Sequence, residues 1–119
     1  MAAPKERERD VVRGSLTGFP PFHGEGERTL GILEREGLRL ETILSRGHVS
    51  PPGFWYDQDE DEWVAVLQGE GEIEFDGGRR ERLHQGDWVL LPAGLRHRVS
   101  HTSSDPACLW LALFLSPRG

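Results

Sequence analysis

The chain has 119 residues and a mass of 13.4 kDa, which is the size of one ordinary domain. Its 20 acidic and 14 basic residues give a net charge of -6, which argues against the basic surface that nucleic-acid binding requires. The longest apolar run, Ala107 to Leu115, is far shorter than the ~20 residues of a transmembrane helix. We therefore expect neither nucleic acid nor a membrane among the partners.

The amino-terminal sequence and the cysteine content bear on the cellular compartment. The first residues, MAAPKERERD, are charged where a secretory signal carries an apolar segment. The chain has one cysteine, Cys108, so an internal disulfide bond cannot form, and its apolar surroundings predict a buried, inert thiol. Both features predict a cytoplasmic protein.

The chain divides into three parts by composition. Residues 1–13 are mostly charged or small and predict a flexible tail. Residues 14–28 combine Gly, Pro and Ser with isolated apolar side chains, which predicts an irregular arm that packs on the main domain. Residues 29–119 are expected to form the single folded barrel.

Short segments with two-residue periodicity begin at Thr29. The predicted strands are 29–35, 38–46, 63–67, 71–75, 79–83, 87–91, 96–100 and 107–115. The sequence Asp76-Gly77-Gly78 between two of them is a strong hairpin signal. About eight closely spaced strands with almost no helical period predict an all-β fold, an antiparallel barrel or sandwich with little helix.

The last predicted strand, 107–115, is apolar at every position rather than alternating. A strand with one wet face alternates, so both faces of this strand must leave water. Either the amino-terminal arm or a second subunit covers its outer face, and we expect a homodimer.

Residues 86–97 form a Gly-x5-Pro-x-Gly-x2-His run that ends at His97. In this run Gly86 starts a strand, Pro92 to Gly94 form a turn, and the next strand begins by presenting an imidazole. The run resembles the second signature of the cupin superfamily at every fixed position up to His97. The segment from Glu62 to Gly69 is similar to the end of the first cupin signature, and the whole resemblance covers about residues 38–115.

The first signature ordinarily opens with a His-x-His pair three or four residues before its acidic residue. This chain has no histidine there. At three-residue spacing the pair is replaced by Tyr56 and Gln58, and at four-residue spacing by Trp55 and Asp57. The resemblance alone leaves both alternatives open.

The resemblance implies a small single-domain cupin, an antiparallel double-stranded β-helix or jelly-roll barrel with a ligand pocket inside. It implies metal ligation by Glu62 and His97, with Gln58 at a remaining ligand position, and Tyr56 as the candidate catalytic acid. Imidazole and carboxylate together suit Mn, Fe, Ni or Zn. The implied function is metal-assisted work on a small organic molecule, with dioxygenase, isomerase and lyase chemistry all open. The alternative is a non-enzymatic binding protein that has lost the metal.

The remaining polar residues are expected outside the site. His101 falls where the cupin pattern has a residue that is not ordinarily a ligand. The other histidines lie in predicted turns or in the arm, and four arginines are expected to face outward as solubilising charge. These residues are His23, His48, His84, Arg39, Arg46, Arg96 and Arg98.

Overall fold

The computed structural model describes residues 11–21 and 26–117, so residues 1–10 of the predicted tail and His23 in the arm lie outside the described residues. Within these ranges the chain forms eight β-strands and no helix, hence none that could span a membrane. The strands are β1 (Arg28–Arg35), β2 (Leu38–Ser45), β3 (Asp61–Gln68), β4 (Glu70–Phe75), β5 (Arg80–His84), β6 (Trp88–Leu91), β7 (His97–Thr102) and β8 (Cys108–Leu115). The predicted all-β fold is confirmed.

The strands build two antiparallel sheets, one of five strands in the order β1-β2-β8-β3-β6 and one of three in the order β5-β4-β7. The core lies where the inner faces of the two sheets meet. Its buried side chains come from both sheets and include Val66, Ile73, Leu91, Trp110 and Phe114. This two-sheet arrangement is the expected jelly roll, and its interior is where a ligand pocket can form.

The strand register shows which residues of the five-stranded sheet face inward. Paired residues in neighbouring antiparallel strands lie on the same face. Arg39 pairs with Phe114, whose ring is buried in the core, whereas Leu40 pairs with Leu113 on the opposite face. The prediction that Arg39 faces outward is therefore wrong: β2 turns its leucines outward and its charged residues toward the interior.

The described part of the arm contacts the outer face of the five-stranded sheet. The Thr42 hydroxyl, fully buried on that face, donates a hydrogen bond to the Leu16 carbonyl over 3.0 Å. Residues 12–16, at the junction of tail and arm, line a groove together with outer-face side chains that include Leu33 and Leu40. The division of the chain at residues 13 and 28 stays a prediction.

Two glycines permit close packing at the junction of β3 and β4. Gly69 has a φ of 74°, in the left-handed region, and this lets the chain turn sharply from one sheet to the other. Gly71 lies against Trp110 so closely that a Cβ at position 71 would overlap the Cζ2 and Cη2 atoms of the ring. The indole can therefore fill the core only because position 71 has no side chain.

Cys108 lies at the start of β8 and is completely buried. Burial, with smaller contributions from the charges of Glu27 and Glu70, raises the pKa of its thiol to about 12. The thiol is therefore protonated at neutral pH and is a poor nucleophile. The cytoplasmic location stays a prediction.

Candidate functional site

A cavity of about 280 Å³ lies between the two sheets. The four predicted site residues, Tyr56, Gln58, Glu62 and His97, all line it, and the alternative pair Trp55 and Asp57 does not. Ligand pockets in proteins typically measure ~300 to 1,000 Å³. The cavity is therefore suited to a small molecule.

The carboxylate of Glu62 and the imidazole of His97 converge on the cavity wall. Glu62 lies near the start of β3 and His97 begins β7, so the two residues come from different sheets. His97 Nε2 is 3.4 Å from Glu62 Oε1, and the same oxygen accepts a hydrogen bond from Gln58 Nε2 over 3.0 Å. The side chains of Glu62 and His97 are only 13% and 5% exposed. A charged pair with so little water around it is held in one geometry and interacts strongly.

The ring of His97 is oriented by the main chain. Its Nδ1–H donates to the Leu95 carbonyl over 2.9 Å, which leaves Nε2 directed toward Glu62. Burial lowers the pKa of His97, but the hydrogen bond and charge of Glu62 and the bond to the Leu95 carbonyl outweigh it. The pKa of His97 is therefore raised above its ordinary value of 6.5, and the imidazolium is favoured in the folded protein.

This raised pKa predicts a pH-dependent stability. The stabilisation is complete below the pKa of unfolded histidine, about 6.5, and is lost as the pH rises through the higher folded value. We therefore expect the free energy of unfolding to fall through this residue as the pH rises above about 6.5. Urea denaturation across that range, with the wild type and His97→Gln, measures it. The decline should be shallower in the variant, and equal slopes would refute the assignment.

Tyr56 is fixed beside His97 by both main chain and side chain. The Tyr56 amide donates to the His97 carbonyl over 2.7 Å, the His97 amide donates to the Tyr56 carbonyl over 3.1 Å, and the rings stack with centroids 5.4 Å apart. Burial, followed by the charges of Glu27 and Glu62, raises the pKa of the Tyr56 phenol. The phenol therefore keeps its proton at neutral pH and can donate it.

Three charged residues that sequence reasoning did not assign to the site also line the cavity: Arg39, Glu41 and Glu27. Arg39 Nε lies 3.5 Å from Glu41 Oε2 and Arg39 Nη1 lies 3.3 Å from Glu60 Oε2. Its guanidinium carbon is 4.1 Å from the Phe114 ring centroid. The sequence carries no signal for this inward-facing arginine, because β2 alternates leucines with charged residues and its neighbour β8 is apolar on both faces.

The donors present are too few for a resident metal. Within the described ranges no three or more His, Cys, Asp or Glu side chains are grouped so as to hold an ion. Glu62 and His97 are the two strong donors that lie together, and Gln58 turns toward Glu62 its NH2 group, which cannot ligate a metal. Sites for Zn or Fe usually have at least three strong protein ligands. The residues therefore do not fit a firmly held ion, and metal ligation by Gln58, Glu62 and His97 stays a prediction.

The other described histidines do not line the cavity. His101 pairs with Glu72 in the three-stranded sheet, and the His48 ring accepts a hydrogen bond from the Arg46 amide over 2.9 Å. His84 has an exposed side chain 3.8 Å from Asp87. Each of these side chains is outside the Glu62–His97 site.

Comparison with known proteins places these features in a family. The sequence profile described as cupin domain matches residues 41–114. A solved structure from Ralstonia eutropha JMP134, named as a candidate mannose-6-phosphate isomerase, is 40% identical, with 90% of this chain and 100% of that chain covered and a TM-score of 0.81. No curated protein is significantly similar to the chain.

Two more distant structures show the same fold. The cupin domain of a Schizosaccharomyces pombe protein is 14% identical over 90% of this chain and 70% of that one, with a TM-score of 0.72. A cupin superfamily protein from Desulfitobacterium hafniense DCB-2 is 16% identical over 82% and 84%, with a TM-score of 0.68. At such low identities the likeness concerns the fold alone.

Proposed function

Because the chain belongs to the cupin domain family, we propose that its cavity binds a small organic molecule and that Glu62 and Tyr56 move a proton on that molecule. One observation carries the proposal: a carboxylate and an imidazole 3.4 Å apart, both nearly buried, form part of the wall of the cavity. Paired ionisable groups of this kind are the usual equipment for general acid–base catalysis.

The arrangement suits proton abstraction next to a carbonyl group. Glu62 takes the proton from the carbon, the C–H electron pair forms the C=C bond of the enol, and the Tyr56 phenol protonates the carbonyl oxygen. Delivery of the Glu62 proton to the former carbonyl carbon, while the hydroxyl group on the carbon that first lost its proton gives its own proton to the Tyr56 phenolate, forms the isomeric carbonyl compound and restores both residues. The imidazolium of His97 offsets the charge of Glu62. The isomerase named for the Ralstonia eutropha relative would need a reaction of this type.

The test is hydrogen exchange in heavy water. The protein is incubated with a panel of small hydroxy-aldehydes and hydroxy-ketones, and proton NMR follows the loss of the signal at the carbon beside the carbonyl. We expect at least one compound to exchange faster with the wild-type protein than with the Tyr56→Phe protein. A panel that shows binding but no exchange would contradict the catalytic part of the proposal.

That outcome would favour the second candidate, a non-enzymatic binding protein. The donor set that falls short of a resident metal is the observation in its favour. Metal analysis distinguishes these two candidate functions, metal-free proton transfer and non-enzymatic binding, from metal-assisted chemistry. Stoichiometric Mn, Fe, Ni or Zn that disappears in His97→Ala protein would support ligation by the site instead.

We further propose that the chain forms a homodimer through the outer face of the five-stranded sheet. The register places Leu113 of β8 beside Trp63 of β3, and Trp63 beside Leu90 of β6. At the sheet edge, Trp88 and Leu90 are 58% and 53% exposed. A contiguous apolar surface of this kind marks a protein interface.

Leu90→Glu should therefore weaken association. We expect the wild type to show twice the chain mass of 13.4 kDa at micromolar concentration and the variant to dissociate at a concentration at least ~100-fold higher. Light scattering coupled to size exclusion measures both. Val49→Glu is the matched control, because Val49 is 51% exposed but lies in a loop outside this face. A monomeric wild type would refute the proposal.

A further inference from the structure

We infer that the cavity takes polar small molecules that carry no anionic group and that it excludes phosphorylated and carboxylated ones. The inference deepens the proposed function, because it rests on this cavity being the ligand site. It separates this chain from any protein that acts on a sugar phosphate in the equivalent cavity.

The charges lining the cavity are predominantly negative. Within the described part of the chain, three carboxylates, those of Glu27, Glu41 and Glu62, line it, against one guanidinium, that of Arg39. His97 is the remaining basic group. An anion that entered this space would meet more charges of its own sign than of the opposite sign, and it would leave water to do so.

The two basic groups are already occupied. Arg39 lies between the carboxylates of Glu41 and Glu60, at 3.5 and 3.3 Å, with its guanidinium against the Phe114 ring. His97 directs Nε2 at Glu62 and donates through Nδ1 to a main-chain carbonyl. A phosphate that bound Arg39 or His97 would have to displace a carboxylate from that cation. The displaced carboxylate would stay nearby and repel the phosphate.

The same lining suits an uncharged or cationic polar ligand. Glu62 and Gln58 offer oxygen acceptors, and Tyr56 offers a phenolic donor. The phenol itself responds to the negative field, since the charges of Glu27 and Glu62 add to burial in raising its pKa. Trp110 and Val99 supply apolar wall. Hydroxyl, carbonyl and ammonium groups are therefore accommodated where a phosphate is not.

Nitroxide probes of one size and different charge test the inference without a known ligand. Amino-TEMPO is cationic and carboxy-TEMPO is anionic at neutral pH. Their paramagnetic relaxation enhancements are compared at protons of Tyr56 and Trp110, and at the amide of Gly77 in the β4–β5 turn, which corrects for the net charge of the protein. We expect the corrected cation-to-anion ratio at the cavity to be at least threefold. A ratio of one or below would overturn the inference.

A pair of matched variants assigns the effect to the cavity. Glu41→Gln removes a lining carboxylate and releases Arg39, so the ratio should fall by half or more. Glu70→Gln makes the same charge change outside the cavity, where Glu70 pairs with Arg82 at the end of β4 remote from Gly77, and should leave the ratio unchanged. Equal effects of the two variants would overturn the inference. Because the probes report the field whether or not protons are transferred, this result is independent of the heavy-water exchange test.

Discussion

Replacing Glu62 with glutamine is expected to slow proton exchange into the ligand by roughly a thousandfold, within the ~10²–10⁴ range of general acid–base contributions. The neutral amide cannot take a proton from carbon, although it has nearly the same shape. The heavy-water exchange rate at saturating ligand measures the loss. A variant that retained more than about a tenth of the wild-type rate would show that another group is the base.

The control for this variant lies three residues away. Asp59 belongs to the same acidic run but is exposed and does not line the cavity, so Asp59→Asn should leave the exchange rate within about threefold. A second readout separates chemistry from folding. The Glu62→Gln variant should lower the pKa of His97, measured by NMR titration, because the charge and hydrogen bond of Glu62 help to raise it.

Substituting alanine for Gly71 is expected to lower the free energy of unfolding by about 3 kcal/mol, near the upper end of overpacking effects. The new methyl group would overlap the ring of Trp110, which is 4% exposed and belongs to the hydrophobic core. The backbone cannot move away easily, because β4 is hydrogen-bonded to β5 on one edge and to β7 on the other. Urea denaturation monitored by tryptophan fluorescence measures the change.

Gly31→Ala is the matched control, since it makes the same substitution within a strand. A Cβ at Gly31 would meet no atom within 4 Å, and this glycine is not among those with positive φ. We expect a change of no more than about 0.5 kcal/mol. If Gly71→Ala were as mild as Gly31→Ala, the close contact with Trp110 would have no energetic consequence.

Most of the fold is predictable from local sequence, because two-residue periodicity indicates a strand and turn-forming residues indicate where it ends. The Asp76-Gly77-Gly78 turn shows this: both glycines have positive φ, at 109° and 101°, and they join β4 to β5 as expected. Only strand ends differ by a few residues. β3 begins at Asp61, two residues before the apolar periodicity starts, because backbone pairing with β8 extends beyond it.

It is harder to predict from sequence which face of a strand points to the interior. Alternation in β2 separates leucines from charged residues but does not say which set is inside. The neighbouring strand β8 does not help, because it is apolar on both faces and can pack beside either orientation of β2. The prediction that Arg39 faces outward is therefore wrong for a reason that the local sequence does not reveal. Tertiary packing determines which face of β2 points inward, because the leucines of β2 and β8 lie together on the outer face of the sheet.

The candidate site is likewise predictable only in part. Spacing within residues 86–97 is local and identifies His97, whereas its approach to Glu62 depends on how two sheets meet. The choice between Tyr56 with Gln58 and their neighbours could not be made from sequence, because the segment before β3 has no periodicity. The main-chain pairing of Tyr56 with His97 places Tyr56 and Gln58 at the cavity.

That pairing bears on how such a protein diverges. The segment bearing Tyr56 and Gln58 is held by peptide groups, through the Tyr56–His97 bridge and a bond from the Gly94 amide to the Gln58 carbonyl. Any residue supplies the two carbonyl groups, and any residue except proline supplies the amide at position 56. Substitution at either position can therefore change what the protein recognises while the scaffold stays intact, which makes these two positions the natural starting points for a directed-evolution library.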